Sequence, residues 1–149
     1  MKRFFAVLLV CVLLLSSAFA EAWRYQLSYN FWAEDYGAPT ITDSMLTEET
    51  DQRITFTCND TRIMFGAVNS TEINSAAVEG PDSADFLPMC VCAALTVGAS
   101  TDNFTNSLGF LLYAYMEVKS GRDSSARFFG NMMMTLKKTE NGLFFAVGK

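Results

Sequence analysis

Residues 22–32 read Ala-Trp-Arg-Tyr-Gln-Leu-Ser-Tyr-Asn-Phe-Trp, and their alternation decides the first element of the fold. Trp23, Tyr25, Leu27, Tyr29 and Phe31 share one parity, and Arg24, Gln26, Ser28 and Asn30 share the other. Successive side chains of a strand point to opposite faces, so this period of two predicts a half-buried β-strand. Trp32 breaks the alternation and leads into 34–42, whose Gly37 and Pro39 predict a loop. Residues 43–52 are acidic and weakly periodic and read as more loop, with at most a short helical turn.

Working outward, 53–58 alternate again, with Ile54, Phe56 and Cys58 on one side, and 62–68 resume through Ile63, Phe65 and Ala67. Asn59-Asp60 lies between them, which predicts a hairpin. Residues 69–84 are polar, contain Gly80-Pro81 and read as a connection, with one helical turn near Ile73, Ala76 and Ala77. Residues 86–97 carry no charge; Asp85 before them and Gly98 after them suit the two ends of a helix. A second helix is predicted over 103–119, with Phe104, Leu108, Leu111, Leu112, Tyr115 and Met116 spaced by threes and fours and Gly121 ending it. The short link makes these two an antiparallel helical hairpin. Residues 127–138 and 143–148 are apolar runs flanking Glu140-Asn141-Gly142, and Asn-Gly predicts a type I′ hairpin. The expected fold is therefore α+β: an antiparallel sheet of about five strands with two helices packed on one face.

Ahead of all this stand Lys2 and Arg3, an apolar run from Phe4 to Leu15, and Ala18-Phe19-Ala20. That order is the three-part pattern of a cleavable secretory signal peptide over 1–20. The run is short of the roughly 20 residues a spanning helix needs. The expectation is a single exported domain, 21–149, released outside the cell with no membrane anchor after cleavage. Cleavage removes Lys2, Arg3 and Cys11, leaving nine bases against 16 acids, a formal charge of −7. Residues 21–118 hold 14 of those acids and only Arg24, Arg53 and Arg62 as bases. That balance argues against nucleic acid as a partner, because phosphates need a basic patch.

The chain contains no histidine. This removes the usual general base, the Ser-His and Cys-His pairs and most catalytic zinc sites. No phosphate loop, dinucleotide fingerprint, nucleophile elbow or EF-hand loop is present. The expectation is a protein that is not an enzyme and carries no cofactor. A hydrolase built on two carboxylates survives as an alternative. A metal-handling role is the other. Met89-Cys90-Val91-Cys92 with Met132, Met133 and Met134 offers soft sulfur for copper, though Met and Cys more often fill cores. Glu34, Asp35, Asp43, Glu48, Glu49 and Asp51 offer hard oxygen for calcium, without the spacing of a calcium loop. Cys58, Cys90 and Cys92 are the cysteines left after cleavage; one bridge from Cys58 to Cys90 or Cys92 is expected, against three buried thiols.

The functional expectation is a secreted non-catalytic module that binds a protein, a glycan or a small ligand, through a sheet face or the loop near Trp32. Trp32 and Tyr36, with Glu34 and Asp35 beside them, are the candidate contact residues, because aromatics next to polar groups stack on sugars or anchor partners. The uncharged segment 86–97 has no polar face, so the sheet, the second helix or another subunit of a homo-oligomer must cover it.

Overall fold

The structure, a computed structural model, describes residues 22–50, 52–69, 72–98 and 101–149. The signal-peptide expectation for 1–20 falls outside these residues, as does Asp51. The chain is α+β, with one antiparallel sheet of seven strands and three helices. The elements run α1 (22–36), a 3₁₀ turn at Asp43–Met45, β1 (Leu46–Glu49), β2 (Arg53–Cys58), β3 (Thr61–Asn69) and β4 (Glu72–Gly80), then α2 (Phe86–Thr96), α3 (Thr101–Lys119), β5 (Ser124–Phe129), β6 (Met132–Thr139) and β7 (Gly142–Gly148). The sheet order is β1-β2-β3-β4-β7-β6-β5. Two meanders, β1–β4 and β5–β7, therefore join edge to edge through β4 and β7, and the two later helices make the connection between them.

The alternating stretch 22–32 is helix, not strand. Its alternation arises from two interleaved helical stripes. Ala22, Tyr25, Tyr29 and Ala33 are buried, at spacings of three and four. Trp23, Leu27 and Phe31, four apart, are exposed. Both stripes fall mainly on odd positions, which imitates a strand over ten residues. The inner stripe packs on β3: Tyr25 stacks on Phe65 with ring centroids 5.6 Å apart, and Tyr29 meets the same ring edge-on at 6.2 Å. Gly37, at φ 68, ends the helix, and the Ala38 N–H donates to the Ala33 carbonyl at 3.0 Å. Asn30 then ties the following loop down, its side-chain amide donating to the Ile41 carbonyl and its oxygen accepting from the Ile41 N–H, each at 2.8 Å.

Three further expectations change. Residues 46–49 form an edge strand, paired irregularly with β2. Residues 72–80 form a central strand, with Ala76 and Val78 buried and Ala77 facing the other way. The run 127–138 is cut at Gly130-Asn131 into β5 and β6; Gly130 has φ 62, as a type II′ first position requires. The turn type also moves. Asn59 and Asp60 both have positive φ, 48 and 64, so the type I′ chemistry sits between β2 and β3. Thr139 pairs with Gly142, so Glu140 and Asn141 make the β6–β7 turn and Gly142 begins the strand. A methyl on Gly142 would overlap the Gly80 carbonyl, so that glycine permits β7 to approach the end of β4.

All three helices lie on one face of the sheet. α2 sits on β4 and α3 on β5 and β6, where Phe110 and Phe129 are 5.4 Å apart. Every residue from Met89 to Val97 is buried within the chain. The missing polar face of that helix therefore needs no second subunit. No helix among the described residues is long and apolar enough to cross a membrane.

Candidate functional site

Because side chains alternate across a strand, covering one sheet face with helices fixes which residues line the other. Ile54, Phe56, Ile63, Phe65, Ala76, Val78, Met134, Leu136, Phe145 and Val147 point into the core. Their neighbours form cross-strand rows on the open face. One row runs Arg53, Gly66, Ser75, Gly148, Met133 and Phe128 over β2, β3, β4, β7, β6 and β5. The next runs Thr55, Met64, Ala77, Ala146, Thr135 and Ala126. A third runs Thr57, Arg62, Glu79, Phe144, Lys137 and Ser124.

On the three central strands five of the six residues in the first two rows are small: Gly66, Ser75 and Gly148, then Ala77 and Ala146, with Met64 beside them. The result is a trough of about 780 Å³. Met133 and Phe144 stand on one side, and Glu48, Thr50, Gln52 and Arg53 of the β1–β2 corner stand on the other. Its floor is fixed tightly. A methyl on Gly66 would overlap the Ser75 hydroxyl, so the glycine makes room for that group. The pairing register shifts just after Gly66, where β4 carries one extra residue, Asn74, a bulge that bends β4 at the floor.

The polar groups collect at one end. Arg53 donates to Glu48 at 2.6 Å, and Thr55 donates to the other Glu48 oxygen at 3.2 Å. The Arg53 hydrogen bond holds the Glu48 carboxyl below its ordinary range. The Thr50 hydroxyl caps the corner, accepting from the Arg53 N–H at 3.0 Å. Glu48 is the one carboxylate among the described lining residues, and it is engaged by Arg53. At the far end of the face, the Lys137 ammonium lies over the Phe144 ring, 4.9 Å from its centre, and Arg62 pairs with Glu79. This arrangement presents an apolar floor of small residues, three larger apolar side chains (Met64, Met133 and Phe144) and a cluster of hydrogen-bonding groups at one end.

The residues singled out from the sequence lie elsewhere, on α1, and do not form one site. Trp32 is half-buried, meets Phe31 edge-on at 4.9 Å and lines a smaller groove of about 420 Å³ with Arg24, Leu27, Ser28 and Ile73. Tyr36 is half-buried against the core. Glu34 and Asp35 are exposed, and Glu34, two residues from Trp32, points away from it. The sulfur residues divide as a strand requires: Met132 and Met134 are buried, while Met133 faces the trough. Cys58, Cys90 and Cys92 are free thiols, and the expected bridge is not formed. Burial pushes all three thiols up, Cys92 to about 12. Burial also pushes the Tyr29 hydroxyl well above the tyrosine range. Among the described residues no three Cys, Asp or Glu side chains gather as a metal ion would need.

Compared with protein families, with curated proteins and with solved structures, the chain shows no match to any. The reading of function therefore rests on the site itself.

Proposed function

We propose that this chain is an exported, non-catalytic binding module that seats a small, flat, largely apolar molecule in the trough across the open sheet face. The observation that carries the reading is the row Gly66-Ser75-Gly148 beside Ala77 and Ala146. Five small residues on three adjacent strands keep an exposed sheet face bare where larger side chains would ordinarily pack. The volume falls within the roughly 300–1,000 Å³ of ligand sites. The lining suits a ring system lying on the floor between Met133 and Phe144, with a polar or anionic end toward Arg53, Thr50 and Ser75. Among the described lining residues the one carboxylate, Glu48, is already paired with Arg53, which supports binding over a two-carboxylate hydrolysis. Export is supported by the pattern of residues 1–20, and N-terminal sequencing of the released protein should read from Glu21.

The test uses 1-anilinonaphthalene-8-sulfonate, a flat ring system with one anionic end. Titration of the folded protein should give a saturable, one-site fluorescence rise. Ala146→Trp, which fills the floor, should abolish it, while Phe31→Ser on α1 should leave it unchanged. A signal that survives Ala146→Trp, or that vanishes with Phe31→Ser, would refute the trough as the site.

A further inference from the structure

The two edges of the sheet are unlike. β1, at one edge, is four residues long, pairs irregularly with β2 and ends in Glu48-Glu49, features that keep other strands away. β5, at the other edge, has six residues in unbroken register with β6, no proline and a single charged residue, Arg127. The Lys138 N–H donates to the Asp123 carbonyl at 2.9 Å, next to the Ser124–Lys137 pair. Hydrogen-bonded pairs alternate along an antiparallel ladder, so the odd-numbered residues of β5 bond to β6. Ser124, Ala126 and Phe128 therefore turn their N–H and C=O groups to the open edge. The Phe128 side chain is 72% exposed. An edge of this kind is a template for one more strand.

We infer that β5 pairs antiparallel with β5 of a second copy of this chain, about a two-fold axis at Ala126, joining two sheets into one. The edge matches itself in one register. With Ala126 opposite the partner's Ala126, Ser124 lies opposite the partner's Phe128, and every outward N–H and C=O of β5 meets an outward group of the partner. A register centred on Ser125 leaves Phe128 beyond the partner strand. One centred on Arg127 leaves Ser124 beyond it and sets two guanidinium groups face to face, a destabilising pair. In the register centred on Ala126, bulk meets small residues, with Phe128 over the partner's Ser124 and Ala126. The charges agree as well. Arg127 lies over its own Phe129 ring, 5.6 Å from the centre, and so leans away from the axis. Phe129 is opposite the partner's Asp123, which sets the Arg127 guanidinium beside that carboxylate. The contact occurs twice, as a two-fold interface requires. Within one chain neither Arg127 nor Asp123 has an ion pair among the described residues.

α3 fits the same axis. It lies over β5 and β6, so with strands about 4.8 Å apart the two α3 axes stand about 10 Å apart across the joint, the spacing of packed helices. Tyr113, 58% exposed, is on the flank of α3 that faces the joint: it donates to Glu117 at 2.7 Å, and Glu117 accepts from Ser125 of β5 at 3.0 Å. One two-fold axis thus covers the backbone edge, Phe128 and Tyr113 together. Because the axis is perpendicular to the sheet, both troughs open on the same side. The blunted β1 edges stay outermost, so assembly stops at two copies.

The chain from residue 21, which carries every element described above, is run by sedimentation velocity from about 1 to 200 µM, a range that brackets micromolar affinity. A dimer should form, and nothing larger. Ala126→Pro removes only an outward N–H, and Ala126→Lys sets two like charges on the axis; both should stay monomeric with unchanged circular dichroism. Amide hydrogen exchange gives the signature of the edge. The Ser124 and Phe128 amides should exchange about tenfold more slowly in the parent dimer than in the Ala126→Lys monomer, while those of Ser125 and Arg127, bonded to β6, are slow in both. Leu27→Glu, on the exposed face of α1, should leave association unchanged. A monomer at every concentration, a species that grows beyond the dimer, association that persists in either Ala126 variant, Ser124 and Phe128 amides that exchange equally fast in dimer and monomer, or loss of association in Leu27→Glu would each overturn the inference.

Discussion

Tyr29→Phe should make the protein more stable, against the usual direction of core substitutions. Tyr29 is completely buried, and its hydroxyl has no hydrogen-bond partner among the described residues. Its ring meets the Phe65 ring edge-on, a contact that offers the hydroxyl no acceptor. Burial holds the hydroxyl protonated, so no charge is lost with it. A buried polar group left unpaired costs about 1–3 kcal/mol. Removing the oxygen recovers that cost, less the contacts of one atom, so the net gain should be about 1 kcal/mol. In a domain of this size that raises the melting temperature by about 3–5 °C. Urea unfolding should show a higher midpoint at an unchanged slope, the mark of a stability change alone. A loss of 1 kcal/mol or more would refute the reasoning, because it would mean that the hydroxyl is bonded, for instance to a buried water.

Other consequences can be checked with simple measurements. The thiols are buried and raised, so the native protein should not react with a thiol reagent at pH 8, and three thiols should react once residues 21–149 are unfolded; a count of one would reveal a bridge. Hydrogen bonds from Lys119 and then Tyr115 lower the Asp82 pKa below its unfolded value. The stabilisation is therefore complete above the unfolded carboxylate pKa and is lost as pH falls through the folded one. Discounted for exposure it is worth a few tenths to about 1 kcal/mol. Unfolding of Asp82→Asn and of the parent should differ by this amount at pH 6 and converge toward pH 3. Two glycines should respond with opposite signs. Gly142→Ala, at φ 140 against the Gly80 carbonyl, should cost about 1–3 kcal/mol, whereas Gly109→Ala, in open space on α3, should gain about 0.5–1 kcal/mol. Denaturation midpoints that move in the same direction would contradict that contrast.

The parts of the fold that could be read from the sequence are those where one local signal dominates. An uncharged run between Asp85 and Gly98 fixes α2 to within a residue of its ends. Threes-and-fours spacing with Gly121 fixes the end of α3, and Asn59-Asp60 fixes the β2–β3 turn. α1 reads as a strand because a second, exposed apolar stripe fills the positions a helix normally gives to charge. The spacing Ala22, Tyr25, Tyr29, Ala33, Tyr36 carries the helical signal, over a length too great for an ordinary strand. β4 reads as a connection because its small and polar residues lack β-branched weight, yet those residues are what keep the trough open. The site was therefore hidden for the same reason. Gly66, Ser75 and Gly148 become neighbours only when β3, β4 and β7 are paired, and no local pattern announces a register between strands some 70 residues apart.

The most direct test of a binding trough is a backbone amide NMR titration of the protein with 1-anilinonaphthalene-8-sulfonate. Shifts should concentrate at Gly66, Ser75, Ala77, Met133, Ala146 and Gly148, on strands β3, β4, β6 and β7, and should saturate together with one dissociation constant. Shifts confined to Trp23, Leu27, Phe31 and Trp32 of α1, or scattered without saturation, would contradict the account.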